Sequence, residues 1–149
     1  MGDLYEADVL EWSEHQARLL RQHAAGEPGN EAPDWANIIE EVESVGRSEF
    51  NTVKSLLVRA LTHDLKCIAW PDASYLSHWR SEARAFKLDA AQSYTPSMRQ
   101  RIDLDRLYAN ALSIVPEDVD GIPPQPMPPT CTVKLEALLA GECVPSPEP

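Results

Sequence analysis

The sequence predicts an all-α chain: a single-domain bundle of about five helices over residues 1–115, then a Pro-rich C-terminal arm over 116–149 with a short terminal helix docked on the same domain. Three observations predict it. Apolar residues recur at spacings of three and four through each long segment, which places them on one face of a helix. Prolines punctuate those segments at Pro33, Pro71, Pro96 and Pro116, where the fixed φ and missing N–H start or stop helices. Hydrophobic residues make up 43% of the 149 residues, enough to build a core in one domain of this length.

The first helix is expected from Asp3, which with Glu6 resembles a capping box whose usual first residue is Ser or Thr. Tyr5, Val9, Trp12, Leu19 and Leu20 form its apolar side, with Gln16 interrupting the stripe, and it should end near Ala25-Gly26. Glu27 to Pro33 reads as a loop, rich in Gly, Pro and Asn.

Asp34 to Trp70 is the segment expected to act as the spine. Asp34 is placed to cap it by accepting a backbone N–H of the first turn. Trp35, Ile38, Ile39, Val42 and Val45 make one apolar stripe, and Glu40, Glu41 and Ser44 fall opposite. Glu43 and Arg47 are four apart, acid first, an exposed pair that contributes roughly 0.2–0.5 kcal/mol. Gly46 costs about 1 kcal/mol relative to Ala inside a helix, so a break or bend is expected there, with Ser48 capping the next helix. Phe50, Val53, Leu56, Leu57, Ala60, Leu61, Leu65 and Ile68 then form a wide apolar arc. Pro71 stops it.

A further helix is expected over Tyr75–Gln92 with Tyr75, Leu76, Trp79, Ala83, Phe86 and Ala90 inward. Thr95-Pro96 is a start signal, Thr as cap and Pro at the first helical position, for a helix using Met98, Ile102, Leu107, Tyr108, Ala111 and Leu112. Residues 116–149 hold nine of the thirteen prolines, and Ile122 to Pro129 should be extended with polyproline character. Thr132 should cap a last short helix through Ala140, with Leu135, Leu138 and Leu139 docking it.

Composition narrows the function. A formal net charge of -11 disfavours nonspecific binding to phosphate backbones, which needs Lys and Arg. It suits a soluble protein, or one that meets a basic partner. Cys67, Cys131 and Cys143 are odd in number and contain no CxxC pair, so neither a metal motif nor a disulfide framework is implied. No basic-then-apolar leader and no run of 18 apolar residues is present, so a cytoplasmic protein with no membrane partner is expected.

Several stretches resemble a known family. They are Tyr5-Glu6-Ala7-Asp8 with Trp12, Asp34-Trp35 with the run Glu40 to Glu49, His63-Asp64-Leu65-Lys66, Trp79-Arg80, and Cys131-Thr132-Val133 with Leu135 to Leu139. Together they resemble the bacterial family catalogued as domain of unknown function number twenty-nine, over nearly the whole chain. The resemblance implies an almost wholly helical domain and no assigned activity. Asp64, where an apolar residue is expected, and the Gly/Pro loop before Asp34 depart from it.

Four sets of residues could carry chemistry. Glu11 and His15 are four apart and Glu40 and Glu43 three apart, so each pair shares a helix face. With His63 they could hold a divalent metal such as Mn, Fe or Zn, but the two Glu-x-x-His motifs of di-iron bundles are missing, and a solvated acidic face is the plainer alternative. Glu49 and Asp64 fall near the apolar arc, and a buried carboxylate needs a partner. Arg80 or Arg84 is expected to supply it as a structural ion pair. Arg80, Arg84, Lys87 and Arg99 form a basic run that could meet nucleic acid, against the charge of the whole chain. Trp12, Trp35, Trp70 and Trp79 are expected as core anchors. No nucleophile, base and orienter come together in sequence. The leading expectation is therefore a non-enzymatic protein–protein interaction module that needs no cofactor and whose partner could be a second copy of itself. A metal-dependent enzyme is the alternative and a nucleic-acid-binding domain the third.

Overall fold

The structure, a computed structural model, describes residues 3–27 and 29–149. Met1, Gly2 and Pro28 lie outside the described residues, and with them one position of the expected Glu27–Pro33 loop. The expected all-α class is what the chain adopts. The elements in order are α1 (Leu4–Ala7), α2 (Val9–Ala24), α3 (Trp35–Ala69), α4 (Leu76–Ser93), a 3-10 turn (Pro96–Met98), α5 (Leu104–Ile114) and α6 (Leu135–Leu139). The described residues form no strand, only an isolated bridge between Val119 and Ile122, closed by Asp120 and Gly121 at φ of 53° and 76°.

The backbone falls into two compact units, Met1–Ser48 and Glu49–Pro149. In the first, the single N-terminal helix expected from Asp3 is two. Asp3 accepts the N–H of Tyr5 and caps α1. Asp8 then leaves helical geometry, at φ -152° and ψ 89°, and accepts the N–H of Glu11 to cap α2. A short Asp side chain that bonds the backbone ahead competes with helix continuation, and here it wins. Trp12, Gln16 and Leu19, at spacings of four and three, are the buried side of α2.

α3 runs from Trp35 to Ala69 as one helix. Of the break or bend expected at Gly46, the break does not occur. The cost of one Gly is about 1 kcal/mol, small beside the hydrogen bonds of a helix of 35 residues.

In the second unit, Val53, Leu57, Leu61 and Leu65 repeat at every fourth position of α3 and are 0% exposed. Burying each such side chain stabilises the fold by roughly 1.5–3 kcal/mol. Ala90, Met98, Leu107, Tyr108, Ala111, Leu135, Leu138 and Val144 close the same core. The helix expected directly from Thr95-Pro96 forms only the 3-10 turn. α5 starts later because Asp103 accepts the N–H of Arg106 at 3.1 Å, a side-chain cap that Thr95 does not make. Likewise Thr132 is exposed and α6 starts after Lys134 without a side-chain cap.

Prolines carry a carbonyl acceptor but no N–H. The stretch from Ile122 to Pro128 is accordingly held by donors from elsewhere. Trp70 Nε1 donates to Ile122 O at 2.8 Å, and the Tyr108 hydroxyl donates to Pro128 O at 2.7 Å. The Gln125 N–H in turn donates to Ala69 O at 2.9 Å.

Candidate functional site

The N-terminal unit holds the feature with most functional content. Two stripes lie side by side on the first turns of α3. One is Asp34, Ile38 and Glu41, at spacings of four and three. It faces α1 and α2 and packs largely through polar bonds. Trp12 Nε1 donates to Asp34 Oδ2 at 3.2 Å, and Asp34 N–H donates to Gln16 Oε1 at 2.7 Å. The Tyr5 hydroxyl donates to Glu41 Oε1 at 2.6 Å, and that bond to a carboxylate raises the Tyr5 pKa. The Asn37 side-chain amide, helped by the Trp12 indole, holds the Asp34 carboxyl below its ordinary range against the opposing effect of desolvation.

The second stripe is Trp35, Ile39 and Val42, one residue further round, or about 100° on a helix. It faces water. Trp35 is 46% exposed, Ile39 55%, Val42 69% and Val45 63%. The expectation that Trp35 is a core anchor is therefore overturned. Its ring meets the edge of the His23 ring, 5.6 Å between centroids. Trp12 and Trp79 are buried, 5% and 6% exposed. The same unit also exposes Leu4, Val9 and Leu10. Surface residues scattered singly need no explanation, whereas Trp35, Ile39 and Val42 lie together on one face of the helix.

Four of the five residues considered for a metal are engaged otherwise. His15 has both ring nitrogens occupied, Nε2 at 2.8 Å from Glu31 and Nδ1 at 3.1 Å from Arg18. Glu40 and Glu43 both bind Arg47, at 2.5 and 3.8 Å. Glu11 is exposed. In the second unit His63 donates from Nδ1 to Arg59 O at 2.9 Å, and its Nε2 lies 2.7 Å from Glu82. Among the described residues, no three of His, Cys, Asp and Glu gather as a metal-holding group.

The second unit contains a buried ion pair with a different cation from the one expected. Asp64 Oδ2 accepts from Lys87 Nζ at 2.7 Å and from the Val144 N–H at 3.1 Å. Arg80, Arg84 and Glu49 are exposed and take no part. Lys87 also reaches Cys143 Sγ at 3.6 Å. The signal for this pair was helical phase, because Lys87 shares the buried stripe of Trp79, Ala83 and Ala90. Burial there removes Lys87 from the basic run, and Arg99 is paired with Glu136 at 3.0 Å. Two of the four cations considered for nucleic acid are thus committed. The pair has a structural character, a carboxylate tying α3 to α4 and to the chain after α6. Nearby, Trp70, Ala73, Val119, Ile122 and Pro123 line a mostly apolar cleft of about 130 Å³. The thiols of Cys67 and Cys131 are pushed up by burial, the direction opposite to nucleophile activation. No helix among the described residues is long and apolar enough to cross a membrane.

Comparisons with known proteins agree with this architecture. The family model described as Domain of unknown function DUF29 matches residues 4–144. Among solved structures, an alpha-helical protein of unknown function from Rhodospirillum rubrum is similar at a TM-score of 0.65 and 24% identity, over 95% of this chain and 92% of that one. That likeness carries the fold. No curated protein matches the chain.

Proposed function

Given that the chain belongs to the family Domain of unknown function DUF29, to which no activity is assigned, we propose that it is a non-enzymatic helical protein-interaction module working through its N-terminal unit. The observation that carries this reading is the bare stripe Trp35, Ile39 and Val42, extended by Val45. At about 25 cal/mol per Å², apolar area left in water on a rigid helix is stabilisation that a partner can recover. The division of labour supports the same reading. The second unit has its own apolar core, so this stripe is not needed to fill it. A cytoplasmic location fits three free cysteines, since thiols persist where the compartment is reducing, and a bacterial source fits the helical neighbour from Rhodospirillum rubrum.

The test compares the native chain with an Ile39→Ser/Val42→Ser variant in pull-downs from the native host. A protein retained in stoichiometric amount by the native chain and lost by the variant is the expected result. Equal recovery from both, or no stoichiometric partner together with a monomer in light scattering, overturns the proposal.

A further inference from the structure

The apolar stripe of α3 is set in the most acidic part of the molecule. Residues 3–48 hold eleven carboxylates against three arginines, a formal -8 of the chain's -11. On α3 itself Glu40 and Glu43 flank the stripe on one side and share one cation, Arg47. Glu41, on the side towards α1, has its carboxylate bound to Tyr5. We propose that this stripe is the docking site for a cationic amphipathic helix of a partner protein, its apolar positions seated on Trp35, Ile39 and Val42 and its Lys or Arg residues facing the glutamates. The inference rests on the interaction-module reading and adds the partner's chemistry to it.

Three physical points select this occupant. From Trp35 to Val45 the stripe rises about 15 Å, roughly three helical turns, the length over which an amphipathic helix presents anchors at i, i+3 or i+4 and i+7. Charge then decides which helix. A second copy of the chain would bring the same -8 to the same place, and like charges across an interface cost affinity and suppress the pairing. Nucleic acid and anionic lipid are disfavoured by the same repulsion. A basic helix is attracted, and its approach is accelerated at low salt.

The experiment uses the full chain and two synthetic helical peptides of about 18 residues. Both carry Leu on one face, and the other face is Lys in the first and Glu in the second. Binding is measured by fluorescence anisotropy at about 0.05 and about 0.5 M NaCl. The Leu/Lys peptide is expected to bind at least tenfold more tightly than the Leu/Glu peptide. Its affinity should fall about tenfold in Glu40→Gln/Glu43→Gln and at the higher salt. It should also fall about tenfold in Ile39→Ser/Val42→Ser, which leaves every charge in place and so separates docking on the stripe from diffuse attraction.

Four outcomes overturn the proposal. Loss of affinity in the Gln variant alone means an attraction that ignores the stripe. Equal binding of both peptides, lost in the Ser variant, keeps the interaction module and discards its charge selectivity. A dimer in sedimentation that the Ser variant abolishes makes the occupant a second copy and likewise keeps the module. Binding of neither peptide by a monomeric chain removes the cationic helix, and the pull-down from the native host then decides the module by itself.

Discussion

Asp64 and Lys87 form an ion pair of 2.7 Å with side chains only 3% and 1% exposed. Two charges so placed have surrendered their hydration, so each depends on the other. Removing the cation alone, as in Lys87→Met, is expected to cost about 3–5 kcal/mol in urea denaturation. The double variant Asp64→Asn/Lys87→Met should recover most of that, because the amide is neutral and still offers Val144 an acceptor. A double variant as unstable as the single would mean that the pair itself, and not the unpaired carboxylate, sets the cost.

Much of this architecture was legible in the sequence and some of it was not, for identifiable reasons. The buried face of α4 followed from phase, since Trp79, Ala83 and Ala90 are where spacing places them. Lys87 lies on that same face, but a fully buried Lys is rare, and arginines nearby were the more natural partners for Asp64. Trp35 failed for a different reason. Adjacent stripes on α3 differ by one residue, and hydrophobicity alone makes Trp35, Ile38, Ile39, Val42 and Val45 one inner face. The chain instead turns Asp34, Ile38 and Glu41 inward, where Trp12, Gln16 and Tyr5 supply hydrogen-bond partners. That choice depends on partners far away in sequence and leaves no periodic trace. It is also what uncovers the candidate surface.

Tyr108 is 2% exposed and donates to the carbonyl of Pro128, and burial pushes its pKa from 10.0 up to about 12. Unfolded, the phenol loses its proton near pH 10. Folded, it keeps it to about pH 12. Below pH 10 both forms are protonated and the contribution to stability is fully present. Between pH 10 and 12 only the unfolded chain ionises, so stability falls by up to about 1.4 kcal/mol per pH unit. Tyr108→Phe should cost about 1–2 kcal/mol at neutral pH, because the Pro128 carbonyl loses its donor. It should also remove that component of the alkaline loss. Denaturant titrations of both chains at pH 8, 10 and 11 check this, and parallel pH dependences would refute it.

Asp34 gives the opposite sign at the acid end. Its carboxyl is held low mainly by the Asn37 amide, with the Trp12 indole assisting. A lowered folded pKa contributes stability above the unfolded value of 3.8, and that contribution is lost as pH falls through the folded value. Acidification should therefore loosen the N-terminal unit through this site, with the Trp12 indole N–H exchanging faster in NMR as its acceptor is protonated. Asp34→Asn should flatten that dependence. An unchanged Trp12 exchange rate across the same range would count against Asp34 as the tie between α2 and α3.

The continuity of α3 through Gly46 has a direct test. Gly46 keeps a negative φ, and a Cβ built on it meets nothing within 4 Å. Alanine therefore fits there without strain and removes the backbone freedom that glycine contributes to the unfolded chain. Gly46→Ala is expected to stabilise the fold by about 0.5–1 kcal/mol and to leave helicity at 222 nm equal or slightly higher. If the helix instead ended or kinked at this residue, as its sequence suggested, the added methyl group would oppose that geometry and the melting temperature would fall. Peptide binding to the stripe should also survive the substitution, because position 46 adds no charge and removes no apolar side chain. A variant that melts higher yet binds the Leu/Lys peptide less tightly would show that the partner needs α3 to flex beside Val45, and a rigid three-turn platform would then be the wrong description of the docking face.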